Sequence, residues 1–127
     1  MATSDTLTYS IPGGPRAASE ARAVVTEALQ TRLDRSRLAD VRLLVSELVT
    51  NGIVHGEAAD DGETLTLEID ASATLRVDVV DHGHGFEPEA AGRESLGGWG
   101  LTLVEGLADR WGVLRDGETR VWFEIAV

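Results

Sequence analysis

The run Leu44-Val45-Ser46-Glu47-Leu48-Val49-Thr50-Asn51-Gly52-Ile53-Val54-His55 constrains the fold more than any other part of the chain. With Val41 included, Val41, Leu44, Val45, Leu48 and Gly52 recur at helical spacing and mark one apolar face. Glu47, Asn51 and His55 recur every four residues, and an α-helix turns about 100° per residue. The three therefore form a polar stripe beside the apolar face. At about 1.5 Å of rise per residue the stripe is roughly 12 Å long. A carboxylate, an amide and an imidazole in such a line can face one ligand. The plainer reading is a partly solvated helix edge, and the stripe alone does not decide between them.

The rest of the chain supplies what this helix must pack against. Leu7 to Ile11 alternates as a short strand, and Pro12-Gly13-Gly14-Pro15 then breaks the chain. Pro15 suits a first helical position, and Ala18, Ala21, Val24, Val25, Ala28 and Leu29 predict an amphipathic helix over 17–32. Asp34 or Ser36 can cap the helix of the opening stretch, which is expected to end at Gly56. Thr64 to Asp70 and Leu75 to Asp81 read as neighbouring antiparallel strands. Leu101 to Ala108 reads as a helix with Leu101, Val104, Leu107 and Ala108 on its buried side. Trp111 to Arg115 and Thr119 to Val127 make a final hairpin around Asp116-Gly117. The order β-α-α-β-β-α-β-β predicts a sheet covered on one face by helices.

Bulk properties exclude several classes of function. A chain of 127 residues is expected to form a single domain over 1–127, with 1–5 as a flexible tail. No run is apolar enough to span a bilayer, and the N-terminus lacks a secretion pattern, so a cytoplasmic protein is expected. The absence of cysteine removes disulfides, thiol catalysis and Cys-based zinc sites. A net charge of −11 argues against direct nucleic-acid binding. All eleven basic residues are arginine. Without lysine the chain is neither a P-loop NTPase nor a eukaryotic-type protein kinase, since each needs a phosphate-binding lysine.

Two further stretches can hold a nucleotide. Asp81-x-Gly83-x-Gly85 follows a strand directly. Its carboxylate can accept a hydrogen bond from an exocyclic amine, and the glycines allow close approach to a flat ligand. Asp and Gly are also ordinary turn residues. Gly97-Gly98-Trp99-Gly100 precedes a helix, where free N–H groups at the positive end favour phosphate. A tight loop-to-helix entry explains the same glycines. A dinucleotide fingerprint is excluded, because no G-x-G-x-x-G lies between strand and helix.

In combination and order, Glu47-x-x-x-Asn51-x-x-x-His55, Asp81-x-Gly83-x-Gly85 and Gly98-x-Gly100-Leu101 resemble the Bergerat-fold ATP-binding domain of gyrase, sensor histidine kinases and MutL. Within it, the chain is similar to the bacterial anti-sigma factor serine/threonine kinases of the RsbW and SpoIIAB type, from about Tyr9 to Ile125. Leu107-Ala108-Asp109-Arg110-Trp111-Gly112 and Thr119 to Glu124 carry the likeness through the last strands. The resemblance implies an α+β fold: a two-layer sandwich, its mixed, mostly antiparallel sheet covered on one face by three helices. It implies ATP and Mg²⁺ as cofactors, with Asn51 as the Mg²⁺ ligand and Glu47 as general base. Asp81 would read the adenine amine with Thr119 beside it, and Gly83 and Gly85 would make room for the base. Gly98, Gly100 and Leu101 would hold phosphates. His55 is either a phosphate-end contact or a satisfied helix-end histidine. Arg93, the only basic residue of the short segment 86–96, is either a γ-phosphate contact or a surface residue. His82 and His84 read as solvent-facing.

The implied partners are a sigma factor and a STAS-type anti-sigma factor antagonist, with no membrane and no direct nucleic acid. A homodimer fits the exposed first strand. Trp99 departs from the smaller or basic residue usual there. Gly52 replaces a more usual alanine, at a cost to the helix of about 1 kcal/mol. An ordinary histidine kinase is not expected, as no phosphoacceptor-histidine helix is seen. The rival to a kinase is a non-catalytic module of the same fold that works by gripping partner proteins.

Overall fold

The computed structural model describes residues 6–55, 64–72, 74–81, 102–115 and 118–126. Strand β1 (Thr6–Pro12) leads into a turn at Gly14, which has a φ of 99°. The Ala17 N–H donates to the Gly14 carbonyl at 3.2 Å, so Pro15 occupies this turn rather than the first helical position. Its fixed φ suits the second position of a tight turn.

Helix α1 (Ala17–Leu29) buries Ala17, Ala21, Val25 and Leu29, a strict four-residue repeat. It stops three residues before Arg32. Gln30, Thr31 and Arg32 are exposed and have nothing to bury. The N–H of Leu33 donates to the Leu29 carbonyl at 3.0 Å, turning the chain back so that Leu33 packs on the core. Asp34, not Ser36, caps the next helix: its Oδ1 accepts the Arg37 N–H at 2.7 Å. Such a cap contributes about 1 kcal/mol.

Helix α2 (Arg35–His55) runs for 21 residues and buries Val41, Leu44, Val45, Leu48 and Val49. Four residues of the apolar face read from the sequence, Val41, Leu44, Val45 and Leu48, are thus buried. The helix passes through Gly52 unbroken.

Strands β2 (Thr64–Ala71) and β3 (Leu75–Asp81) follow, then helix α3 (Thr102–Leu107), β4 (Arg110–Arg115) and β5 (Thr119–Ile125). The sheet order is β1-β2-β3-β5-β4, and every described pairing is antiparallel. The fold is α+β in two layers, as expected. The Asp116-Gly117 turn lies outside the described residues.

Register assigns the two faces. Tyr9, Leu67, Val79, Val121 and Val113 form one cross-strand row, and Ile69, Val77, Phe123 and Trp111 form the next. These rows face the helices and make the core with Val41, Leu44, Val45 and Val104. Alternate residues leave the opposite face. On β2 the alternation is clean: Leu65, Leu67 and Ile69 are buried, and their neighbours are not. Central strand β3 departs from it, since Asp78 and Val80 on the outer face are buried as well. Among the described residues no helix is long and apolar enough to cross a membrane.

Candidate functional site

Glu47, Asn51 and His55 all fall on α2, on consecutive turns of one uninterrupted helix. Glu47 is half-buried. Beside it, Arg22 of α1 donates from Nη1 to the Ser46 hydroxyl at 2.8 Å, fixing the two helices against each other close to the stripe. Helix α2 packs on α1, β3 and α3.

Strand β3 ends at Asp81, where the register sets Asp81 opposite Leu65 on one side and Thr119 on the other. Directly opposed residues share a face, so Asp81 and Thr119 lie on the helix side of the sheet. Asp81 is 4% exposed and Thr119 is 2% exposed. The Asp81 Oδ2 atom is fully enclosed. The remaining rows of this face are apolar, so this carboxylate and hydroxyl stand out as a polar pair at its end. Burying a carboxylate carries a large desolvation cost unless a partner compensates it. A carboxylate accepts from an amine, and a hydroxyl both donates and accepts. An acceptor beside a hydroxyl can meet the edge of a base such as adenine.

Two of the expected site residues are therefore brought side by side, and three are aligned along one helix. Gly83, Gly85, Arg93, Gly98, Gly100 and Leu101 lie outside the described residues, as do His82, His84 and Trp99. Helix α3 starts at Thr102, directly after Leu101, and buries Val104 completely.

The outer face holds a charged cluster that the sequence reading missed. Asp78, 5% exposed, accepts from Arg76 at Oδ1 (2.9 Å) and Oδ2 (3.1 Å), and from Arg120 Nη1 at Oδ2 (2.9 Å). Arg120 Nη1 also donates to Glu68 at 2.8 Å. Arg76 stacks over the Trp122 ring with its guanidinium carbon 4.3 Å from the centroid. Arg110 donates to Glu124 at 2.6 Å on the outer strand. The signal was present in the period-two pattern Arg76-x-Asp78 and Arg120-x-Trp122-x-Glu124, which puts these residues on one face.

Hydrogen bonding to Asp78 raises the Arg76 guanidinium pKa, and bonds to Glu68 and then Asp78 raise that of Arg120. A base whose folded pKa is raised contributes its stability below the unfolded pKa and loses it only above. Here that loss falls in strong alkali, so both guanidinium groups stay charged through the ordinary range.

Comparison with known proteins places this geometry. The family that matches is the histidine kinase-like ATPase domain, over residues 11–125. A serine-protein kinase RsbW of Listeria monocytogenes is 30% identical over 120 residues, covering 83% of this chain and 76% of the relative. An anti-sigma F factor of Anoxybacillus flavithermus is 29% identical over 98 residues, 68% of this chain and 67% of the relative. Another, from Clostridium perfringens, is 32% identical over 82 residues, 57% of this chain and 59% of the relative. The family match and the five-stranded sheet agree: the chain belongs to the histidine kinase-like ATPase domain family, in its RsbW-like group.

Proposed function

We propose that this chain is an anti-sigma factor with Mg²⁺-ATP-dependent serine/threonine kinase activity, which binds a sigma factor and phosphorylates an anti-sigma factor antagonist. The observation that carries the reading is the buried Asp81–Thr119 pair at the end of the helix-covered face. Two relatives bear the names serine-protein kinase and anti-sigma F factor, which supports the same reading.

Asp81 would accept the adenine amine, and Thr119 would hydrogen-bond beside it. Asn51 would offer its amide oxygen to Mg²⁺, a hard cation that takes few protein ligands when phosphate oxygens complete its shell. Gly83 and Gly85 would admit the base; Gly98, Gly100 and the Leu101 N–H would hold phosphate oxygens, with Arg93 and His55 at the phosphate end. Bound Mg²⁺-ATP supplies the transferable phosphoryl group. Glu47 would orient the attacking serine or threonine hydroxyl and accept its proton. Little else is asked of the protein, because phosphoryl transfer depends chiefly on positioning and charge neutralisation. The uncharged edge strand β1 offers a place for a second copy to pair.

The test is transfer of label from γ-labelled ATP to a STAS-type antagonist. Wild type is expected to label it, and Glu47→Ala to lower the rate by about 10²–10⁴-fold, the usual contribution of a general base. Undiminished labelling by Glu47→Ala would sink the assignment of the base. ATP binding with no transfer to any antagonist would instead make the chain a non-catalytic gripping module.

A further inference from the structure

We propose that Arg120 is a positioning residue for base recognition: by tying β5 to β3 and β2 on the outer face, it holds Thr119 beside Asp81 on the inner one. The inference rests on the nucleotide reading of that pair. Arg120 follows Thr119 in β5, and Val80, opposite Arg120, precedes Asp81 in β3. Successive strand residues leave opposite faces. The clamp and the base-reading pair are therefore adjacent residues of the same two strands.

The clamp is directional. Arg120 passes over Val80 opposite it and reaches diagonally to Asp78 at 2.9 Å, and on to Glu68 of β2 at 2.8 Å. Glu68 and Asp78 are themselves register partners. One guanidinium thus joins three strands, one residue from Thr119. The short bonds from Arg76 to Asp78 differ in kind, because both residues lie on β3 and the pair restrains no register. On the inner face β3 and β5 meet through Val79–Val121 and Val77–Phe123. Those contacts are non-directional; beside the backbone ladder that sets the register, the charge-assisted hydrogen bonds of Arg120 add a directional side-chain tie. A full one-residue slip would send Thr119 to the outer face. A smaller shift would spoil its spacing to Asp81 while leaving the fold intact. Arg120 is partly exposed, with a side chain 26% accessible, so its bonds add little to overall stability.

The experiment measures binding of Mg²⁺-ATP and Mg²⁺-inosine triphosphate by calorimetry, using the full chain. Inosine carries a carbonyl oxygen where adenine has its exocyclic amine and an N1–H where adenine has an acceptor nitrogen, so the affinity ratio reports recognition of that base edge, the edge assigned to Asp81 and Thr119. Wild type is expected to prefer ATP. In Arg120→Met the preference is expected to fall about tenfold, the size of one misplaced hydrogen bond. Arg120→Lys, which keeps the charge but not the fork, is expected to lie between. Arg110→Met, which removes the outer-strand pair with Glu124, is expected to keep the wild-type ratio. An Arg120→Met protein with native circular dichroism and an unchanged ratio overturns the role, even where both affinities drop together. Should Arg120→Met not fold, an unchanged ratio in Arg120→Lys overturns it. A wild type that binds neither nucleotide removes the nucleotide reading and this role with it; a wild type that discriminates, with variants that do so equally, removes this role alone.

Discussion

The two faces of the sheet solve the same problem in opposite ways. On the helix side, Leu67, Val79 and Val121 or Ile69, Val77 and Phe123 interlock as apolar rows, and among the described residues Asp81 and Thr119 are the buried polar ones on this face. On the outer side, Glu68, Asp78, Arg120, Arg76 and Glu124 cover β3 with guanidinium stems and paired charges. Apolar packing stabilises through area removed from water, without direction. Paired charges at a half-wet surface contribute little energy but fix direction. A buried polar pair on the first face is therefore a candidate for ligand contact, whereas a polar cluster on the second is ordinary unless its bonds restrain register.

Truncating the apolar side should cost most. Phe123 is fully buried, and Phe123→Ala is expected to lose about 3–5 kcal/mol in urea unfolding. A loss below 1 kcal/mol would show that the helix side is not the main source of stability. Gly112→Ala tests the outer side at its tightest point. An added Cβ there would meet the Trp122 ring at 2.9 Å, on the indole that Arg76 covers. A loss of about 1–2 kcal/mol with a shift in tryptophan emission is expected; an unchanged spectrum would mean the ring is not held. Arg110→Ala removes a pair whose arginine side chain is 73% exposed. Its midpoint in urea is expected to move by no more than a surface pair allows, under about 0.5 kcal/mol. A loss as large as that of Phe123→Ala would erase the distinction between the two faces.

Most of the fold was legible because its signals are local. Periodicity in 41–55 and 64–81 gave the long helix and two strands; burial follows the pattern over 41–49 and on β2, while β3 also buries Asp78 and Val80 on its outer face. The misses came where local chemistry left a choice that packing decided. Pro15 suits both a first helical turn and the turn before it, and Gly14 decides for the latter. Helix α1 ends early because residues 30–32 have no surface to bury. In the site, the family resemblance named Asp81 and Thr119, which are far apart in sequence and directly opposed in the sheet. The Arg120–Asp78–Glu68 clamp was not legible. Its alternation showed a shared face, but a diagonal bond across three strands depends on register, which no short window carries.

The most direct test of the central claim is calorimetric titration of ATP into wild type and Asp81→Asn, each with and without Mg²⁺. Asparagine keeps the shape but turns part of the acceptor edge into a donor. Wild type is expected to bind with Mg²⁺-dependent affinity, and Asp81→Asn to bind about a hundredfold more weakly, the penalty for a buried polar mismatch. Equal affinity in the two proteins would contradict the account, because the buried polar pair on the helix side would then serve no nucleotide.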